Sequence, residues 1–329
     1  MRDVLIFMYP VVDLTVQMDA VLPIEAGETK LVRTMALEPG GGANTVFVGT
    51  RLGLDIVQAG AVGQDFYGDF LRQTYKEEGT ENQYIRQIPN FKTHVIMCLN
   101  DKEGHHAYVS MLKDLSIGPP CPDDLIQDCR AVYISGIMLA VGDAEEATLA
   151  LLKRVRNTNQ TIFFDPGPMF GMISKESMDA VLAATDVFVL NHTEAAGISG
   201  AESPEDAAIL LSRRVRGMVV IKSGAKGCYV YQNGTGVWYK GFSVPTVDTV
   251  GAGDSFLGAF IRGTIDNWDI ETTCIVANAA GAAKAQKAGS GTQVPTLDEV
   301  LHILNTNGCH VTKEQMMNRV EKLCLKRLS

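Results

Sequence analysis

Short apolar runs alternate with helix-patterned segments along most of this chain, and that rhythm restricts it to a small set of architectures. "DVLIFMYPVV", "AVYISGIML", "TIFFDPGP", "DVFVLNHTE", "GMVVIKSG" and "GCYVYQNG" read as strands. Between them, "DAEEATLALLKRVRNTN", "SKESMDAVLAAT" and "SPEDAAILLSRRVR" carry apolar residues at helical spacing, with Ser or Asp near their starts. Strand and helix repeated in turn predict a mostly parallel sheet covered by helices on both faces. Ligands of such sheets sit at the carboxyl ends of the strands. Two stretches break the rhythm. Thr15 to Glu38 and Thr93 to Met111 read as short antiparallel strands that could meet as a small accessory sheet, a lid over the ligand edge that excludes water from a transfer reaction. The tail "VTKEQMMNRVEKLCLKRLS" reads as an amphipathic helix with basic residues near its end.

The length of 329 residues and 46% hydrophobic content suit one large α/β domain or two small ones. Twenty-nine basic against 38 acidic residues give a formal charge of −9 with no long basic run, so neither nucleic acid nor an anionic membrane is an expected partner. A polyanionic ligand must then be held by local groups. Asp3 and Asp13 bracket the first apolar run, which reads as a buried strand and not a signal peptide. No apolar stretch approaches the roughly 20 residues that span a bilayer. Seven scattered cysteines without a C-x-x-C pair point to reduced thiols and a cytoplasmic protein.

The densest chemistry lies in "VDTVGAGDSFLGAFI", Val247 to Ile261. It is neither the common phosphate loop nor the dinucleotide fingerprint, since it lacks the G-K-[ST] ending and has Phe256 where a third glycine belongs. Gly251, Ala252 and Gly253 form a side-chain-poor turn, and Phe256, Leu257, Phe260 and Ile261 mark the buried face of a following helix. Free backbone N–H groups at that helix start would bind a phosphate-like anion without basic side chains. Asp254 has two readings here. It either complements the helix dipole or accepts a proton from a substrate hydroxyl beside the anion.

Other stretches add partners. "EPGGGANTVFVGTRLG", Glu38 to Gly53, is a glycine turn leading into a helix, or a place where another group approaches the backbone, with Asn44 offering a donor and an acceptor to hydroxyls. Asp13 lies among apolar strand residues, where a buried acid needs polar partners. In "LNHTEAAG", Asn191 and Glu194 stand at a strand end, as an ordinary helix start or as a carboxylate holding Mg2+ through water. Gly224 and Gly227 in "VVIKSGAKGCYV" form a turn that is a plain hairpin or a close approach to a nucleotide. "FFDPGPMF" reads as a rigid turn without an assigned role.

In this order the stretches resemble the ribokinase/PfkB family of carbohydrate and nucleoside kinases over nearly the whole chain. "DTVGAGDSFLGAF" matches the family's C-terminal signature, "GGGAN" with Gly53 and Gly63 most of its N-terminal one, Asn191 and Glu194 its N-x-x-E motif, "KSGAKG" its nucleotide-binding turn, and "ANAAGAAKAQKAGSGTQVPTLDEV" the segment bordering the adenine pocket. Val46 stands where a small residue is usual, and Met8 and Tyr9 where a glycine commonly precedes the aspartate.

The resemblance implies a single ribokinase-like domain over residues 1–329, a three-layer α/β/α core with a mostly parallel sheet and a small β-sheet lid. It implies ATP and Mg2+, with Asp254 as catalytic base and the amides of Gly251, Ala252 and Gly253 as the anion hole. Asp13, Gly41, Gly42 and Asn44 would hold substrate hydroxyls. Glu194 would organise Mg2+, and Asn191, Lys222, Gly224, Gly227 and Asn278 would surround ATP. Many members bind a monovalent cation such as K+, which would fall at Asp248, Val250 and Gly289 to Gly291. Members acting on sugar phosphates tend to carry a lysine within the glycine motif; its absence favours a neutral sugar, with a ribonucleoside as the alternative acceptor. A non-catalytic sensor on the same scaffold is a reading of another class, against which the complete "GAGD" loop counts. The lid is also a surface through which two chains could form a homodimer.

Overall fold

The computed structural model describes residues 1–19, 26–101, 106–110, 121–156, 158–319 and 323–325. Among the described residues thirteen strands form two sheets: β1 (Arg2–Phe7), β2 (Pro10–Met18), β3 (Val32–Gly41), β4 (Ile56–Gly63), β5 (Ile85–Ile88), β6 (His94–Asp101), β7 (His106–Ser110), β8 (Cys129–Ser135), β9 (Thr161–Asp165), β10 (Val187–Asn191), β11 (Met218–Lys222), β12 (Gly227–Gln232) and β13 (Thr235–Lys240). Nine run in the order β13-β12-β11-β10-β9-β8-β1-β4-β5, all in one direction except β12, which pairs antiparallel with β11 and β13. From β8 to β11 the chain steps one way across the sheet, so right-handed connections place Ala144–Val155, Lys175–Leu182, His192–Ser199 and Pro204–Ser212 on one face. From β1 to β4 it steps the other way. Helix Gly42–Arg51 therefore lies on the opposite face, packed against Ala252–Ile265, which in turn packs against Ile270–Ala285.

The central strands are apolar on both sides because both sides are covered. Val4, Leu5, Ile6, Phe163, Phe164 and Phe188 are fully buried, each contributing about 1.5–3 kcal/mol of transfer free energy. Phe164 and Phe188 stack across β9 and β10 with centroids 5.3 Å apart.

The expected strand "DVLIFMYPVV" is two strands. β1 leaves the large sheet at Phe7, and after Met8 and Tyr9 the chain enters the small sheet as β2. Pro10 has no N–H to continue the ladder, and Pro10 Cδ is packed where a Cβ on Gly60 would stand, at 2.8 Å. The small sheet has the order β3-β2-β6-β7. Its two outer pairs are antiparallel as expected, and they meet through a parallel β2/β6 pairing. It begins at Pro10, earlier than the expected Thr15, and so takes in Asp13. The "NDKEG" turn lies largely outside the described residues. Along β2 the side chains alternate: Leu14, Val16 and Met18 form a small apolar cluster with Leu99, while Asp13, Thr15 and Gln17 line the other face.

The expected long C-terminal helix is a correction. Among the described residues of that tail a helix runs only over Lys313–Met317, and Asn318 is extended; residues 320–322 and 326–329 of the expected helix lie outside the described residues. Arg319 then turns back to bond Asp3 at 2.7 and 2.9 Å and Asp266 at 2.7 Å, at the amino end of β1. Those ion pairs, with the fully buried Arg262 bound to Asp266 and to the Leu52 carbonyl, tie the segment to the core in place of further helix. Among the described residues no helix is long and apolar enough to cross a membrane.

Candidate active site

The motif residues collect at the carboxyl edge of the large sheet, under the small one. Helix Ala252–Ile265 begins after Gly251, whose φ of 76° is the left-handed conformation glycine accepts freely. No side chain caps this start. The amides of Gly251 and Gly253 have no protein acceptor among the described residues, but the Ala252 N–H donates to the Thr249 carbonyl at 3.1 Å. Of the three amides expected to form an anion hole, that of Ala252 is therefore engaged in the turn that sets up the helix, and those of Gly251 and Gly253 are left as donors.

Asp254 lies in the first helical turn, half-buried. Its Oδ2 accepts a hydrogen bond from Asn44 Nδ2 at 2.9 Å. Burial raises its pKa; the Asn44 hydrogen bond opposes the shift and the Asp165 carboxylate adds to it. Asn44 stands in helix Gly42–Arg51, which starts at the triple glycine, and its Oδ1 accepts from the Gly291 N–H at 2.7 Å. Both ends of the amide are therefore engaged within the protein. Gly41 adopts φ 55°, and a Cβ on Gly42 would come within 3.1 Å of Met8 Sδ. The group that approaches the glycines closely is Asp13: a Cβ on Gly40 would lie 2.0 Å from Asp13 Oδ1. Asp13 is buried, accepts from Ser290 Oγ at 2.8 Å, and has its pKa pushed up to about 6 by burial, with Asp254 and Glu38 adding to the shift.

Beside Asp254, Lys222 ends β11 and donates to Asp165 Oδ2 at 2.8 Å, and a Cβ on Gly253 would lie 3.3 Å from Lys222 Nζ. Burial disfavours the Lys222 charge, but the carboxylates of Asp165 and Glu194 outweigh it and raise its pKa. Asn191 and Glu194 form a reciprocal capping box, Asn191 N–H to Glu194 Oε2 at 2.8 Å and Glu194 N–H to Asn191 Oδ1 at 2.9 Å. The ordinary helix start is thus realised, and at the same place burial and the neighbouring Asp165 push Glu194 up to about 7.

A cleft of about 640 Å³ opens alongside, lined by Asn191, Lys222, Gly224, Gly227, Gly253 and Asn278 among others. Phe242, Val244, Phe256, Ala282 and Ala285 give it an apolar wall. β11 and β12 do form a hairpin, and its turn borders this cleft. Gly227 has φ 102° and leaves no room for a Cβ, which would meet the Tyr239 carbonyl at 2.0 Å. Asn278 Nδ2 donates to the Tyr239 and Lys240 carbonyls at 3.3 Å, fixing that edge of the cleft.

Asp248 ties two loops together. Its Oδ1 accepts from Val250 N–H and its Oδ2 from Gly289 N–H, both at 2.9 Å. Among the described residues no group of three metal-ligating side chains assembles. The nearby pair Asp165 and Glu194, hard oxygen donors beside a cleft with free amides, suits a cation that keeps most of its waters. Three further residues join the site. Asp165 could have been found as an acid at a strand's carboxyl end, next to the strand of Asn191. Ser290 and the buried Lys284, whose Cε would lie 3.5 Å from a Cβ on Gly251, carry no such signal.

With this geometry the comparisons agree. The family model described as pfkB family carbohydrate kinase matches residues 7–297. The chain belongs to the pfkB carbohydrate kinase family, whose members are phosphotransferases acting on an alcohol group, and within it is a sugar or nucleoside kinase of the ribokinase type. It is 25% identical over 294 residues to the ribokinase of Haemophilus influenzae, covering 84% of this chain and 91% of the relative. A nucleoside kinase from Methanothermobacter thermautotrophicus is 26% identical over 310 residues, 91% of this chain and 94% of that protein. The structure of Arabidopsis thaliana ribokinase complexed with ribose and ATP superposes with a TM-score of 0.78 at 22% identity, covering 92% and 98% of the two chains.

Proposed function

We propose that the protein transfers the terminal phosphoryl group of ATP to a hydroxymethyl group of a neutral sugar unit, free or carried as the ribose of a ribonucleoside. The observation that carries this is the position of Asp254: its carboxylate is bonded to Asn44 on the glycine-turn side and shares a helix start with the free amides of Gly251 and Gly253, of which Gly253 lines the Lys222 cleft. Asp254 accepts the proton of the attacking hydroxyl. The Gly251 and Gly253 amides donate to the phosphoryl oxygens as charge builds on them. Asp13, Gly41, Gly42 and Asn44 hold the neighbouring hydroxyls and fix the angle of attack.

ATP lies in the cleft of Asn191, Lys222, Gly224, Gly227 and Asn278, whose left-handed glycines let a flat base approach the backbone. Glu194, with Asp165, would hold Mg2+ through water, and that ion would supply positive charge to the phosphates. A monovalent cation would sit by Asp248, Val250 and the Gly289–Gly291 loop. Each Asp248 oxygen already accepts one amide N–H, so backbone carbonyls would complete the ligand set there. The small sheet serves as lid, the chain working as one domain. Its outer face exposes Met35, Met97 and Val109, through which two chains would pair. Among the described residues no basic side chain lines the cavity under the lid, which favours a neutral acceptor over a sugar phosphate.

An ADP-release screen over free sugars, inositols, ribonucleosides and sugar phosphates tests the reading. The expected result is turnover of at least one neutral acceptor, at higher kcat/KM than its phosphorylated form. ATP binding without turnover across the panel would overturn it.

A further inference from the structure

Register fixes three cross-strand rungs on the face of the small sheet that carries Asp13. The first joins Glu38, Asp13 and Ile96; the second, Ala36, Thr15 and Cys98; the third, Thr34, Gln17 and Asn100. Tyr108 on β7 extends the second rung as a half-exposed aromatic edge. At about 3.3 Å per residue the third rung lies roughly 13 Å beyond the first. A cavity of about 640 Å³ opens over this stretch, lined by Thr15, Gln17, Thr34, Ala36 and Asn100 from the sheet and by the loop at Asp248. It meets the nucleotide cleft at Thr246 and Thr249, which line both. A single sugar ring held at Asp13 would leave the third rung untouched.

We propose that the rung of Thr34, Gln17 and Asn100 is a subsite for the base of a ribonucleoside, so that the acceptor is a ribonucleoside with its ribose at Asp13. The second rung is a floor of small side chains, Ala36, Thr15 and Cys98, over which a planar ring lies without obstruction. Beyond it Gln17 and Asn100 are registered partners on adjacent strands. Each amide offers a donor and an acceptor in one plane, the pattern that reads the edge of a heterocyclic base. Among the described residues, the charged side chains lining the cavity are acidic, Glu38, Asp101 and Asp248, so a neutral base suits it better than a second phosphate.

This inference rests on the phosphotransfer reading above, and one assay separates their failures. ADP release by the full chain is measured with adenosine, guanosine, inosine, cytidine and uridine against ribose and fructose. The subsite predicts that one ribonucleoside exceeds ribose in kcat/KM by about tenfold or more. It predicts further that Gln17→Ala and Asn100→Ala each lower the nucleoside-to-ribose ratio of kcat/KM by roughly 10-fold, as expected for loss of an edge contact. Circular dichroism on both variants checks that the fold is kept. Sugars turned over as fast as every nucleoside, or a ratio unmoved by both substitutions, overturns the subsite and leaves the kinase reading standing. Absence of ADP release with every acceptor overturns both.

Discussion

Asn44 Nδ2 and Asp254 Oδ2 are 2.9 Å apart, although 210 residues separate them in the chain. One hydrogen bond thus joins the glycine turn that opens the first helix to the turn that opens the helix of the anion loop. The same amide binds Gly291 through its oxygen. It therefore sets the distance between the proposed base and the acceptor floor.

Asn44 favours the ionised form of Asp254, so its loss makes the proposed base harder to ionise. Asn44→Ala is expected to move the acid limb of the kcat/KM profile to higher pH and to lower kcat/KM by about 10- to 100-fold. A purely structural Asn44 would shift the melting temperature but leave the pH limb in place.

Gly40→Ala would set a Cβ 2.0 Å from Asp13 Oδ1 and force that carboxylate off Ser290. Displacement of a positioning group by about an ångström costs on the order of 10²-fold in rate. Acceptor KM should rise at least tenfold by the same reasoning, with nucleotide Kd nearly unchanged, because the cleft proposed for ATP does not include Gly40. Isothermal titration with ATP and steady-state kinetics with the acceptor separate the two.

Glu194 has its pKa raised from 4.5 to about 7 in the folded protein. A carboxyl group shifted upward contributes stability below its unfolded pKa, and that contribution is lost as pH rises through the folded value. The cost of holding it ionised is on the order of 3 kcal/mol at most. Glu194→Gln removes that cost and keeps an oxygen for the Asn191 N–H. The variant is expected to melt several degrees above wild type at pH 8 and close to it at pH 5, while losing kinase activity. Equal differences at both pH values would show that the charge is not what matters there.

The sequence made the fold class legible because buried parallel strands and the helices between them have different periods. It hid the break at Met8 and Tyr9, since a run apolar on both faces looks alike whichever sheet it joins; Pro10 was the single local sign. The helical spacing of the tail misled for a related reason. Arg319 finds two carboxylates, on Asp3 and Asp266, that no local pattern announces. Within the site, Gly251 to Asp254, Asn44 and the Asn191–Glu194 pair were readable as contiguous motifs. The loss of the Ala252 amide to Thr249 was not, because it depends on the turn's own geometry. Ser290 was out of reach, as it meets Asp13 from 277 residues away.

The most direct measurement of the central claim is kcat of Asp254→Asn, taken with nucleotide Kd and melting temperature on the same preparation. Asparagine keeps the size and an oxygen acceptor but cannot take up the proton. The account predicts a fall in kcat of about 10²- to 10⁴-fold with the fold intact and ATP binding no weaker than wild type. If Asp254 only complements the helix dipole, the change costs at most about 1 kcal/mol of stability. A near-normal kcat in that variant would contradict the assignment of Asp254 as the base.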